Sequence, residues 1–459
     1  MRKLSKTLLS LLLIAAMLAS FVVLPAAAEE PAAEQPTEAV QAAETQSTAA
    51  VEGFDLSIVM LDCGRKYFSV DSIKKIIDNA QAAGFGYIML GVGNDGMRFL
   101  LDDMSLTVNG TTYESDAVKS AIHAGNEAYY NFDVDELTQT EMDAVLAYAK
   151  EKGMGVIPML NTPGHMDAIL AAATSLTGTN CSYNGSVRTI DVTNNTAVTF
   201  TQELLKKYVA YFAGKGCQYF NMGADEYAND IYPNGGMGFG NLQSSYNYKY
   251  DYYVTYVNKV AAIIDDAGMI PMAFNDGIYY NEDSSGGTFD TNIVICYWSQ
   301  GWSGYTPATA SYLKNKGFSL VNTNGSYYWI VGGKQCSADT AENFNYTSFA
   351  NQYGTDTISN PKGAMFCIWS DVPGAEEDSS VATNSAAAIK AFGGTLPNTS
   401  AVEKWNPVKE NPDTPSDGNT VSAEENENIK ITAPGLTRVS APETDVPANL
   451  PGNVSAAKA

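Results

Sequence analysis

The sequence predicts an α/β protein, a (β/α)8 TIM barrel with disordered N- and C-terminal extensions. Three observations carry this reading. Eight short apolar runs recur along the chain, helix-patterned segments alternate with them, and polar or aromatic residues stand where the runs end. Unbroken apolar runs of this length suit strands buried on both faces of a parallel sheet. Repeated strand–helix alternation suits a closed barrel, with an open doubly wound sheet as the competing arrangement.

The expected strands are Leu56–Leu61, Tyr87–Val92, Val156–Leu160, Tyr219–Met222, Ile270–Phe274, Ile293–Trp298, Phe318–Val321 and Ala364–Trp369. Helical spacing of apolar residues marks 71–83, 140–152, 197–213, 252–267 and 308–316, with Ser69 or Asp71 as the first cap. All five helices run into Ala-Gly or Lys-Gly shortly before the next strand, a helix stop followed by a strand start. The residues at the strand ends are Arg65, Asn94 with Asp95, Asn161 with His165, Asp225 with Glu226, Asn275 with Asp276, Trp298, Tyr328, and Trp369 with Asp371. Barrel enzymes carry their chemistry at this end of the strands, so eight such positions in sequence describe the rim of a binding site.

The termini read differently. A basic start at Arg2, Lys3 and Lys6, an apolar run over 8–24 and Ala26-Ala27-Ala28 form a secretory signal peptide over residues 1–28, which predicts an extracellular protein, secreted or at the cell surface. Residues 29–52 and 399–459 lack the apolar side chains needed to offset ordering and read as a disordered spacer and an acidic disordered tail. The catalytic barrel is therefore expected over 53–398. A formal charge of −24 argues against nucleic acid and anionic membranes as partners. Of six cysteines, Cys63, Cys217, Cys296 and Cys367 fall in or beside apolar runs, leaving Cys181 and Cys336 as the only loop-like pair. No cysteine or histidine cluster has metal-ligand spacing, so neither a metal nor another cofactor is expected.

Asp225-Glu226 ends the fourth run. Neighbouring side chains on a regular strand point to opposite faces, so both carboxylates reach the rim only where the backbone leaves the pleat. Two adjacent carboxylates suit a 2-acetamido sugar, whose glycosidic oxygen needs a proton donor and whose acetamide needs a partner while its oxygen attacks C1. The donor is expected to have a raised pKa, set by its neighbour and an apolar wall. A solvated loop or a metal-ligand pair fits the same two residues. Trp298, Trp302, Tyr327, Tyr328, Trp329 and Trp369 add flat surfaces for sugar C–H faces, although Trp302 and Trp329 read equally well as core. Arg65 offers a fork of donors for ring hydroxyls, or a surface ion pair.

These motifs resemble glycoside hydrolase family 20, the β-N-acetylhexosaminidases. The resemblance rests on Asp62-Cys63-Gly64-Arg65, on Asn161-Thr162-Pro163-Gly164-His165, on Gly223-Ala224-Asp225-Glu226, on Tyr297-Trp298 and Tyr327-Tyr328, and on Ile368-Trp369-Ser370-Asp371. It covers about residues 54–392 and is nearest to the catalytic modules of streptococcal surface exo-β-N-acetylglucosaminidases, through 93–100, 225–230 and 272–277. It implies exo-acting removal of terminal, non-reducing β-linked N-acetylglucosamine, with N-acetylgalactosamine a second substrate, by substrate-assisted retaining catalysis. Asp225 is implied to orient the acetamido group, Glu226 to act as acid and then base, and Tyr328 to hold the acetamido oxygen as an oxazolinium-type intermediate forms. Trp298 and Trp369 would wall the pocket, and Arg65 and Asp371 would bind ring hydroxyls. Asp95, His165, Asn275 and Asp276 complete the expected substrate-binding set, with His165 and Asn161 behind the carboxylates.

Phe274 stands where many members have a pocket tryptophan, Asn161 and Asn221 replace a common aspartate and histidine, and the small domain that precedes many relatives' barrels is not expected here. Two other readings remain: a lacto-N-biosidase of the same family, releasing a disaccharide, and a non-catalytic glycan-binding surface module.

Overall fold

The computed structural model describes residues 52–131, 135–231, 238–244, 248–326, 328–331, 348–351, 354–399 and 402–406. Eight parallel strands form the barrel: β1 (Leu56–Leu61), β2 (Tyr87–Asn94), β3 (Gly155–Thr162), β4 (Tyr219–Gly223), β5 (Ile270–Phe274), β6 (Val294–Tyr297), β7 (Leu320–Asn322) and β8 (Gly363–Ile368). Each pairs with the next, and β8 pairs with β1 in the register Leu56↔Gly363 to Leu61↔Ile368, which closes the ring. All eight expected strands are present, with ends shifted by at most two residues.

Strand alternation divides the apolar side chains into two cores. Inside the barrel, Leu56, Ile58, Met60, Met89, Ile157, Met159, Met272, Phe274, Val294, Cys296, Met365 and Cys367 pack together, with Trp369 at the top. Their neighbours on the strands, such as Val59, Leu61, Ile88, Leu90 and Phe220, face outward and meet the helices. Five methionines line the interior, and their unbranched side chains fill an irregular space that rigid residues would leave void.

The helix Val70–Ala82 is capped by Ser69, whose hydroxyl accepts from the Ser72 amide, and Gln139–Glu151 by a full Thr138/Glu141 capping box. Two helices that the periodicity did not single out, Ser115–Tyr129 and Asp167–Thr177, sit beside the ends of β2 and β3. Among the described residues no helix is long and apolar enough to cross a membrane. Cys181 is buried with a free thiol, as are Cys63, Cys217, Cys296 and Cys367; Cys336 lies outside the described residues.

The start of the expected acidic tail belongs to the barrel. Trp405 is buried, bridges to Cys217, and donates from its indole to the Met154 carbonyl at 3.1 Å, while Asn406 donates to the carbonyls of Cys217 and Gly268. A single tryptophan among polar residues gives no periodic signal, so composition alone could not place it. Trp405→Ala is expected to destabilise the fold by about 3–5 kcal/mol, the usual cost of emptying a buried tryptophan site. Urea unfolding of the variant beside a chain ending at Asn398 checks this, and unchanged midpoints in both would remove the docking role.

Candidate active site

The ends of β1 to β4 converge on one imidazole. The chain leaves the pleat at the end of β4 through left-handed residues: φ is 71° at Gly223, 66° at Ala224 and 48° at Glu226. A Cβ on Gly223 would lie 1.9 Å from the Asn161 Oδ1, so this position accepts only glycine. That break lets both Asp225 and Glu226 turn to the rim. Asp95 and His165 also hold left-handed φ of 52° and 50°, and such strained positions collect at functional sites.

His165 lies between two groups of carboxylates. Its Nδ1 is 2.9 Å from the Asp95 carboxylate, and its Nε2 is 3.2 Å from Glu226 and 3.7 Å from Asp225. Burial alone would favour the neutral ring, but the charges of Asp95 and Asp225 outweigh it and raise its pKa well above the usual value. Asp95 is likewise buried, yet Arg188, Arg65 and His165 hold it well below the ordinary carboxylate range.

The carboxylate pair departs from expectation in one respect. Burial, aided by the charge of Glu226, raises the carboxyl of Asp225, whereas for Glu226 the hydrogen bond and charge of His165 outweigh burial and lower it. The raised carboxyl of the pair is thus Asp225, because His165 lies closer to Glu226. Asn161 donates to Asp225 at 2.7 Å, and Asn229 to Glu226 at 2.5 Å.

Arg65 joins β1 to β2 and β8. Its guanidinium meets Asp95 at 2.8 Å, Asp62 at 3.2 Å and Asp371 at 3.6 Å, and lies 5.8 Å from the Trp369 ring centroid. Trp298 and Trp329 stack at 5.1 Å, and Trp369 meets Trp329 edge-on at 5.2 Å. Phe274 completes this apolar group against Trp369.

Arg65, His165, Asp225, Glu226, Trp298, Trp369 and Asp371 are therefore brought together, with four corrections. Asn275 and Asp276 are fully buried and braced inward. Asn275 accepts from the Trp298 amide at 2.8 Å and donates to the Ser299 carbonyl at 2.7 Å. Asp276 accepts from the Glu226 amide at 2.7 Å and the Trp298 indole at 3.0 Å; burial and the charge of Asp225 push its carboxyl up to about 7. Asp95 is spent on Arg65 and His165 rather than open to a ligand. Tyr328 is 1% exposed and packs on Phe392, with ring centroids 5.0 Å apart, in the outer core. The short strand Trp329–Ile330 runs parallel to β8 with Trp329 opposite Cys367, so the alternation that turns Trp329 inward sends Tyr328 outward.

Sequence reasoning passed over Asp62, which binds Arg65, Asn94 and the Ser370 amide, and took Trp329 as possible core. Asp62 opens the Arg65 motif, and that proximity was its available signal.

Eight parallel strands carrying paired carboxylates and three indoles at their carboxyl ends define the catalytic domain of a sugar-cleaving barrel. The chain belongs to glycosyl hydrolase family 20: the family's catalytic-domain model matches residues 56–384. Among solved structures, the tandem catalytic modules of the pneumococcal exo-β-D-N-acetylglucosaminidase are 37% identical, with a TM-score of 0.68 over 74% of this chain and 84% of that one. A lacto-N-biosidase of Bifidobacterium bifidum is 25% identical over 289 residues, 60% of this chain and 24% of that protein. A β-hexosaminidase subunit A1 of Dictyostelium discoideum is 29% identical over 169 residues, 36% of this chain and 28% of that protein. The chain thus spans less than a third of the curated relatives it matches.

Proposed function

We propose that this protein removes terminal, non-reducing β-linked N-acetylglucosamine, and N-acetylgalactosamine as a second substrate, from glycans outside the cell by substrate-assisted retaining catalysis. The observation that carries the reading is the convergence of Asp225 and Glu226 on one His165 nitrogen, at 3.7 and 3.2 Å. Carboxylates gathered on one side suit a substrate that brings its own nucleophile, the acetamido oxygen. The extracellular setting rests on the signal peptide read over 1–28.

Asp225 and Glu226 titrate as neighbours, so the position of a proton between them depends on what binds. An acetamido N–H donating to Asp225 favours its carboxylate and moves the proton to Glu226, from which it passes to the leaving oxygen. The acetamido oxygen attacks C1, and the Glu226 carboxylate then takes a proton from the water that opens the oxazolinium. Asp276 fixes the Glu226 backbone throughout. Arg65 and Asp371 receive ring hydroxyls, and the indoles of Trp298, Trp329 and Trp369 pack on the sugar faces.

The test is release of p-nitrophenol from its β-GlcNAc, β-GalNAc and β-lacto-N-bioside derivatives. Cleavage of β-GlcNAc, blocked by an N-acetylglucosamine thiazoline that mimics the cyclised intermediate, is the expected result. Cleavage of the lacto-N-bioside alone would move the assignment to a biosidase, and silence on all three would favour a binding module.

A further inference from the structure

Behind His165 lies an acid–base pair that the hydrolysis described above leaves without a task. Asp167 opens the helix Asp167–Thr177, and Arg188 reaches it from the following loop. The Arg188 Nε and Asp167 Oδ2 are 3.7 Å apart, and neither of these buried atoms has a hydrogen-bond partner among the described residues. The Asp167 carboxyl meets that of Asp95, Asp95 meets His165, and His165 meets Glu226. Backbone bonds hold this arrangement: the Met166 amide donates to the Arg188 carbonyl at 2.8 Å, and the Ala168 amide to the Asp95 carbonyl at 2.9 Å. Two buried carboxyls in contact do not both ionise without a large penalty, so one proton lies between them.

We propose that Asp167, with Arg188 against it, is a positioning residue that carries this proton and sets the alkaline limit of hydrolysis. The proposal rests on the reading of Glu226 as the acid. While Asp167 is neutral it donates to Asp95, spreads the charge of Asp95, and loosens its hold on the imidazolium, whose other proton faces Glu226. Once Asp167 ionises, a second negative charge faces His165, the ring stays an imidazolium hydrogen-bonded to Glu226, and the proton that Asp225 releases on substrate binding is no longer taken up by Glu226, which then cannot protonate a leaving group. Burial, with the charge of Asp95, pushes Asp167 up to about 8 against the opposing pull of Arg188 and His165. The other groups facing the cluster are Arg65, from the loop after β1, and Tyr129, a phenol kept neutral by burial.

The test is the pH dependence of kcat/KM for wild type, Asp167→Asn, Arg188→Gln and Arg188→Lys. Asp167→Asn is expected to move the alkaline limb up by about one pH unit or more, the size of a typical neighbouring-charge effect. Arg188→Gln should move it the same way, because Asp167 then ionises later, and Arg188→Lys should restore the wild-type limb. A purely structural role would lower activity at every pH and leave the limb in place, which would overturn the proposal. Melting temperature against pH reads the same proton without substrate. The folded state keeps it between about pH 4 and 8 while the unfolded chain loses it, so wild-type stability falls across that window relative to Asp167→Asn. If melting follows pH in this way but no substrate is turned over, the hydrolase reading has failed and this role with it. If turnover is normal and neither limb nor melting difference moves, the Asp167 proposal alone fails.

Discussion

Glu226→Gln is expected to lower kcat by about 10²–10⁴-fold on substrates with poor leaving groups, the range that a positioned general acid–base contributes. The amide keeps the size of the side chain and can still pair with Asn229, and the backbone bond to Asp276 is untouched, so the fold should persist. What disappears is the proton for the glycosidic oxygen and the base for the second step. A dinitrophenolate leaves without protonation, so the loss should be much smaller when cleavage of the activated aryl glycoside limits the rate. The ratio of the two losses separates an acid from a binding contact. Near-wild-type turnover of a GlcNAc-terminated disaccharide by this variant would sink the assignment. Asp225→Asn should lose activity on both substrates alike, because orientation of the acetamide is needed whatever the leaving group.

Arg65→Met is expected to cost about 3–5 kcal/mol of stability, because it strands buried carboxylates. Arg65 is the ion-pair partner of Asp62 and one of those of Asp95, both nearly closed to solvent. The penalty should depend on pH with a definite sign. Asp95 is held well below the ordinary carboxylate range, so its pairing contributes stability above about pH 4 that is lost as pH falls through its folded value. The deficit of Arg65→Met should therefore be full near neutrality and shrink in acid. Urea midpoints at pH 7 and at the lowest pH below about 4 at which both proteins stay folded measure it, and an equal deficit at both would show that lost packing, not charge, is responsible. Surviving Arg65→Met enzyme should also show a raised KM, since Asp371 loses the cation that orients it.

Most of the frame was legible because it depends on local order. Eight apolar runs became eight strands, five helical patterns became five helices, and the residues after the runs gathered at one end, since strand period and barrel topology are written residue by residue. The departures have two causes. Tyr328 was taken for the pocket, yet the parity of a short added strand turns it outward, and a parity change of one residue reverses every side chain. Asn275 and Asp276 sit where a ligand contact is expected but brace Trp298 and Glu226 instead.

The sequence by itself determined the barrel, the position of the carboxylate pair and the aromatic character of its pocket. Only the tertiary structure decided which carboxylates meet His165, that burial raises the carboxyl of Asp225 while His165 lowers that of Glu226, and that Asp167 and Arg188 lie behind Asp95. Those outcomes depend on burial and on charges brought within about 4 Å from distant parts of the chain.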